Sequence, residues 1–414
     1  LHNHLQNLNL FTEDKEMKVS LKLLKVLFVI ATVASLAACA PAASTEAVPA
    51  EAAVESAASA PGEAAATDGR YPAETVKICV ETFDPADTQY MDVQAYFESL
   101  AENVFNVEYI FSEKIESAEQ ELQFIENCAA AGGKGLIAYY NVSKGQAVAQ
   151  AADLGIYYWG IAEEQDVYAE YKDNPYYLGS VILGNGDYDG MYAVTKALLE
   201  QGKTKLIYAN GGADFGITMF VNRRLGFQAA VDEAKAAGAD VTVTEVPGFP
   251  NEAWFAAQGA ALAGDVDAVI GSFGADVWVQ PIAAAGKAGT VSVGSFGGIT
   301  DFYKQTFADG SVSAIAAEPT ERFGIAVAQI VNAVDGNADA LKENGMATNT
   351  PQSLWIVTNP EAFTTLYDYE KGDGRAHYST ELVNLVKNLN PEASAATLQE
   401  LIAAYSLESL LAGK

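Results

Sequence analysis

The chain has 414 residues, half of them hydrophobic, with 24 basic against 54 acidic side chains and a net charge of −30. So large an excess of carboxylates is repelled by phosphate backbones and anionic lipid, which argues against nucleic acid as a partner and against membrane attachment through a basic patch. Of three histidines, His2 and His4 precede the first Met and only His377 follows it, so a histidine-built metal site or catalytic triad lacks its raw material.

Residues 1–16 carry no periodic pattern and read as sequence upstream of a start at Met17. Lys18, Lys22 and Lys25 then precede Val26–Cys39, an apolar run with small residues at its end. A basic lead, an apolar core too short to span a bilayer comfortably and a small-residue cut site predict a secretory signal over residues 17–38. Leu36-Ala37-Ala38-Cys39 resembles a bacterial lipobox, which implies lipidation of Cys39 and a membrane anchor; an ordinary signal with an incidental cysteine is the alternative. Residues 39–72 are Ala, Glu, Ser, Thr and Pro with no aromatic before Tyr71, and predict a solvated tether.

From Thr75 strands and helices alternate. Short apolar, β-branched runs (VKICVETF, GLIAYYN, KLIYAN, AVIGSF, VSVGSF, VSAIAA) are separated by stretches of ten to fifteen residues with helical spacing. That alternation predicts parallel sheets with helices on both faces. Cys79 in the first strand and Cys128 at the end of a helix could pair outside the cytoplasm, or remain two buried thiols; their spacing points to no metal. Thr380–Leu389 and Ala396–Leu411 have helical patterns near the end of the chain.

KICVETF, GGKGLIAYYN, DLGIYYWGIA, YLGSVILGNGDYDG, RRLGF, DVDAVIGSFG, VSVGSFGG and VSAIAAEP occur in the order and spacing of the type I periplasmic binding proteins. The chain resembles that family, of ribose-binding-protein type, from about Val76 to Val357. The resemblance implies an α/β fold of two doubly wound parallel-sheet lobes joined by three crossover strands, near Val181–Leu183, Ala316–Glu318 and Gly336–Gln352. The expected N-terminal lobe is 73–181 with 317–340, and the C-terminal lobe is 182–316 with 350–359. Residues 360–414 form a helical extension.

Ligands of open parallel sheets bind beyond the carboxyl ends of the strands. The residues placed there are Phe83, Asp84, Tyr139, Tyr140, Asn141, Glu163, Phe215, Phe273 and Asp276. Aromatic faces beside carboxyl and amide groups suit a sugar, whose C–H faces stack while its hydroxyls hydrogen-bond. The resemblance adds Arg223, matching a family arginine that reaches ligand oxygens, and Trp254, matching an aromatic that stacks on the ligand. Three segments depart from the family pattern: Phe273-Gly274 replaces Asn-Asp, Ser295-Phe296-Gly297 replaces Gly-Phe-Asp, and Ala162 replaces an Asp. An unpartnered buried hydroxyl costs roughly 1–3 kcal/mol, so these changes disfavour a ribose-type ligand and make a more aromatic or differently substituted one credible.

Enzyme signatures fail on inspection. The Gly-Asn-Gly run at Gly184 has the wrong final spacing for a dinucleotide loop, and Ala340 and Met346 stand where a calcium loop needs Gly and Glu. Ser272 lacks the nucleophile elbow and a histidine to activate it. The expectation is a monomeric, lipid-anchored extracytoplasmic binding protein, with no cofactor and no metal, that passes a small polar molecule, a sugar, to an ABC transporter permease by hinge closure. The alternatives are a receptor of the same fold feeding a membrane signalling protein, or a nucleoside or aromatic ligand.

Overall fold

The computed structural model describes residues 69–139, 141–182, 185–352, 354–372 and 378–412. Cys39, the signal and the tether lie outside the described residues, as do Tyr140 and His377.

The first sheet is built from β1 (Tyr71–Thr82), β2 (Phe105–Lys114), β3 (Gly135–Ala138), β4 (Tyr157–Glu163) and β5 (Tyr177–Ile182), joined late in the chain by β11 (Thr348–Pro351). Its order is β11-β5-β4-β3-β1-β2 and every pair is parallel. The second sheet contains β6 (Lys205–Gly211), β7 (Thr242–Pro247), β8 (Ala268–Gly271), β9 (Ser292–Gly297), β10 (Val312–Ala317) and β12 (Trp355–Val357). Its order is β12-β10-β9-β8-β6-β7, parallel except for the β12 edge. The chain thus passes between sheets three times, after β5, after β10 and between β11 and β12. Parallel sheets are what the strand and helix alternation predicts, and their division into two lobes is what the family resemblance implies.

Alternation along each strand explains why both faces of each sheet are covered. Ile78 and Val80 of β1 enter one core and Cys79 the other. In β6, Ile207 and Ala209 face one core while Leu206 and Tyr208 face another. The helices that close these layers are α1 (Thr88–Asn103), α2 (Ala118–Ala130), α3 (Gly145–Asp153), α4 (Gln165–Tyr171) and α10 (Gly324–Val334) in the first lobe. In the second they are α5 (Asn185–Glu200), α6 (Thr218–Ala236), α7 (Glu252–Ala263), α8 (Asp276–Ala284) and α9 (Asp301–Ala308). Asp87, Ser117 and Asn251 each accept a backbone N–H at a helix start, which sets where α1, α2 and α7 begin. Gly226 permits the close approach of α6 to α5, since a Cβ there would lie 2.2 Å from the Tyr188 carbonyl oxygen.

Cys79 and Cys128 form a disulfide between β1 and the end of α2, which decides between the two readings of the spacing. The strand expected to start after the tether already includes Tyr71, which is buried.

The C-terminal region differs from expectation. An additional helix, α11 (Pro360–Lys371), begins at an Asn359 cap with proline in its first turn. The helix expected over Thr380–Leu389 is a short helical turn followed by a 3-10 turn, Leu382–Leu385. The side chain of Asn332 holds that bend, donating to the Leu385 carbonyl and accepting from the Lys387 N–H. The helix expected over Ala396–Leu411 is two, α12 (Ala395–Ala404) and α13 (Leu407–Leu411), because Ser406 caps a new start. The extension touches both lobes. Phe363 stacks on Phe307 of α9 at 4.8 Å, whereas Lys371 reaches Asp92 of α1 at 3.0 Å. No helix among the described residues is long and apolar enough to cross a membrane.

Candidate ligand cleft

The carboxyl ends of both sheets face a shared space. Asp87, at the start of α1, lies within electrostatic reach of Asp276 and Tyr303 on the opposite lobe. Glu164 beyond β4 likewise reaches Asp187 at the start of α5. Glu318, on the second crossover, sits between the lobes and senses Asp187, Arg223 and Arg322. Burial pushes its carboxyl up to about 6.

On the first lobe the ends of β1, β3 and β4 bring together three buried glutamates. Glu163 accepts from the Tyr158 hydroxyl at 3.0 Å, from the Glu164 N–H, and from the Asn141 amide at 3.4 Å. Glu121, from α2, accepts the Val142 and Ser143 N–H groups and so shapes the loop that carries Asn141. Glu81 lies beside them, fully buried, and burial with the charges of Glu121 and Glu163 holds its carboxyl well above the usual range. Burial also raises Glu163, to about 7, against the hydrogen bonds that lower it.

A carboxyl whose pKa is raised on folding binds more protons in the native state than in the unfolded chain, so stability falls as pH rises between the two pKa values. For Glu163 the window runs from about 4.5 to about 7. Glu163→Gln should flatten the decline of unfolding free energy across that window by on the order of 3 kcal/mol. Unfolding midpoints measured at half-unit pH intervals read the effect, and parallel profiles for the two proteins would show that Glu163 does not titrate there.

On the second lobe Arg223 is placed by α6. Its Nε and Nη2 donate to Asp187 Oδ1 at 2.8 Å, its Nη1 donates to the Ser272 carbonyl at 2.6 Å, and its guanidinium lies 3.6 Å from the centre of the Phe296 ring. Both partners are buried, and the ion pair joins α5 and α6 to the end of β8. Tyr303 occupies the space a side chain at Gly297 would need, with its ring 2.3 Å from a Cβ built there. Its hydroxyl accepts from the Ala275 N–H and donates to the Phe296 carbonyl. With the phenol in that place, a carboxylate side chain at Gly297 has no room. Phe273 contacts Trp254 at 6.0 Å, Phe249 at 6.2 Å and Phe220 at 6.5 Å.

The residues expected at the site divide into groups. Tyr139 packs edge-on against Tyr90 and lies near Asp87 and Glu318. Asn141 and Glu163 bond each other; Phe273 and Trp254 share an aromatic cluster; Asp276 is exposed opposite Asp87. Phe83 is partly exposed, and Asp84 accepts from the Ala86 N–H at the rim. Phe215 is 70 % exposed. Trp254 is buried edge-on to Trp278 at 5.3 Å, with an indole N–H that has no protein partner. Asp87, Asp187, Phe249, Tyr303 and Glu318 were not anticipated. Asp187 sits in the run at Gly184 that fails as a dinucleotide loop; for Asp87, Phe249 and Tyr303 no local pattern signals the cleft. Among the described residues no cluster of His, Cys, Asp and Glu is arranged to hold a metal ion.

No known sequence-family profile matches the chain, and no curated protein matches it in sequence. Solved structures match in fold. One is an ABC transporter periplasmic solute-binding protein from Actinobacillus succinogenes 130z with bound D-allose, with a TM-score of 0.57, 17 % identity, 70 % of this chain and 99 % of that one covered. A solute-binding protein from Bacillus halodurans C-125 with bound myo-inositol gives 0.54 at 16 % identity over 71 % and 97 % of the two chains. A galactofuranose-binding protein gives 0.54 at 13 % over 72 % and 99 %. The fold is that of the type I periplasmic binding proteins.

Proposed function

We propose that this protein is an extracytoplasmic solute-binding protein that captures a small polar molecule, a sugar, between its lobes and delivers it unchanged to an ABC importer. The observation that carries the reading is the pair of parallel sheets whose carboxyl edges face one another across Asp87, Asp276 and Glu318, with three chain crossings as the hinge. Ligand contacts made by both lobes favour the closed state, because only that state makes all of them at once. Tyr139, Asn141 and Glu163 with Phe83 and Asp84 form one wall of the site; Phe215, Phe273, Asp276 and Arg223 belong to the other, Trp254 backing Phe273 from the core and Arg223 acting through Asp187. Lipidation at Cys39 keeps the receptor at the membrane surface, where it works as a monomer.

A thermal-shift screen over monosaccharides, polyols and nucleosides tests this. At a hundredfold excess over Kd the true ligand stabilises the fold by about 2.7 kcal/mol, and native mass spectrometry recovers it with its mass unchanged. A chemically altered product would replace the binding reading with an enzymatic one.

A further inference from the structure

The carboxyl edge of the second lobe ends in aromatic rings. Three neighbouring strands, β8, β6 and β7, are followed respectively by Phe273, Phe215 and Phe249. The rings form a continuous run from Trp254 to Phe273 at 6.0 Å, to Phe249 at 6.2 Å and to Phe215 at 6.4 Å. Exposure rises along it, from 2 % at Trp254 through a half-buried Phe273 to 39 % at Phe249 and 70 % at Phe215. The buried end is accounted for by core packing, but the outer end leaves contiguous aromatic surface uncovered, which is the kind of patch that marks a binding site.

We infer that this run is a ligand platform leading out of the cleft, and that the solute is an oligosaccharide of two or more rings rather than a monosaccharide. The inference rests on the sugar-binding reading above. One sugar ring presents only two stacking faces, and the run extends well beyond the length of one. The border of the platform has the complementary polar groups. The buried Asn210 amide holds the Asp214 and Glu245 carboxylates at that edge, and Asp214, next to Phe215, pairs with Arg224 at a partly exposed position. Aromatic faces flanked by partly exposed charged groups match the alternation of C–H faces and equatorial hydroxyls along a glycan. The run starts from Phe273, just beyond the carboxyl end of β8, which is the edge on which ligands of open parallel sheets bind and so favours a solute over a protein partner.

The test is isothermal titration of the intact protein with length-matched series: glucose, maltose and maltotriose; galactose and galactobiose; xylose and xylobiose. At least one series should gain about tenfold or more in affinity from one ring to two. In Phe215→Ala and Phe249→Ala the ratio of disaccharide to monosaccharide affinity should fall by roughly five- to tenfold. Phe215 is exposed, so its variant folds, and an unchanged unfolding midpoint verifies that. Equal affinity for one ring and two, or an unaltered ratio in Phe215→Ala, overturns the platform while leaving the sugar receptor standing. Failure of every carbohydrate of any length to bind overturns the sugar reading and the platform with it.

Discussion

Truncation of Arg223 to alanine should lower the free energy of unfolding by roughly 3–5 kcal/mol, the usual cost of stranding one member of a buried ion pair. Asp187 is fully buried, and Arg223 is the cation beside it. Burial already raises the Asp187 carboxyl, and the Arg223 charge opposes that rise. Without the guanidinium the carboxyl moves up further. A raised carboxyl disfavours the fold increasingly as pH rises from the unfolded pKa to the native one, so the variant should regain stability on acidification. The wild type should show this trend less. Removing both charges in Asp187→Asn with Arg223→Met should restore most of the loss, since a pair deleted together leaves no stranded charge. Urea unfolding at two pH values measures all three. A cost below about 1 kcal/mol would mean that Arg223 is free to turn toward ligand oxygens, the role that resemblance alone implies.

Replacing Cys79 and Cys128 together by alanine is expected to cost a similar amount, roughly 4 kcal/mol in the chain-entropy treatment for a loop of this length. The two cysteines are separated by 49 positions and both are fully buried. The bond joins β1, whose end carries Glu81, to α2, whose first turn carries Glu121. Its loss therefore loosens the layer on which the Asn141 loop is held. Denaturant unfolding of the oxidised protein, the alanine pair and the reduced wild type distinguishes the cross-link from mere packing. The alanine pair and the reduced protein should shift together; a midpoint unmoved by reduction would leave the disulfide without a stabilising role.

The departures from the family pattern were legible as residue changes, but not what replaced the lost groups. Phe273-Gly274 and Phe296-Gly297 read as missing polar partners; in the structure Tyr303 fills the space at Gly297 and Phe273 anchors an aromatic cluster. The helical pattern of 396–411 was visible, yet its break at Ser406 depended on a cap that competes locally with continuation of the helix. The bend at 382–385 depended on Asn332, distant in the chain and adjacent in space.

Alternating β-branched runs and helical stretches were sufficient by themselves to determine parallel sheets layered with helices and the edge on which a ligand site must lie, because strand period and connection length constrain sheet type and handedness; the division into two lobes was implied by the family resemblance. Only the tertiary structure decided the partners. Arg223 turned to Asp187, Cys79 to Cys128, and Phe215 and Phe249 lined up with Phe273. Sequence spacing assigns a side chain to a face of its own element; which group meets it there depends on how separate elements pack, and no local pattern encodes that.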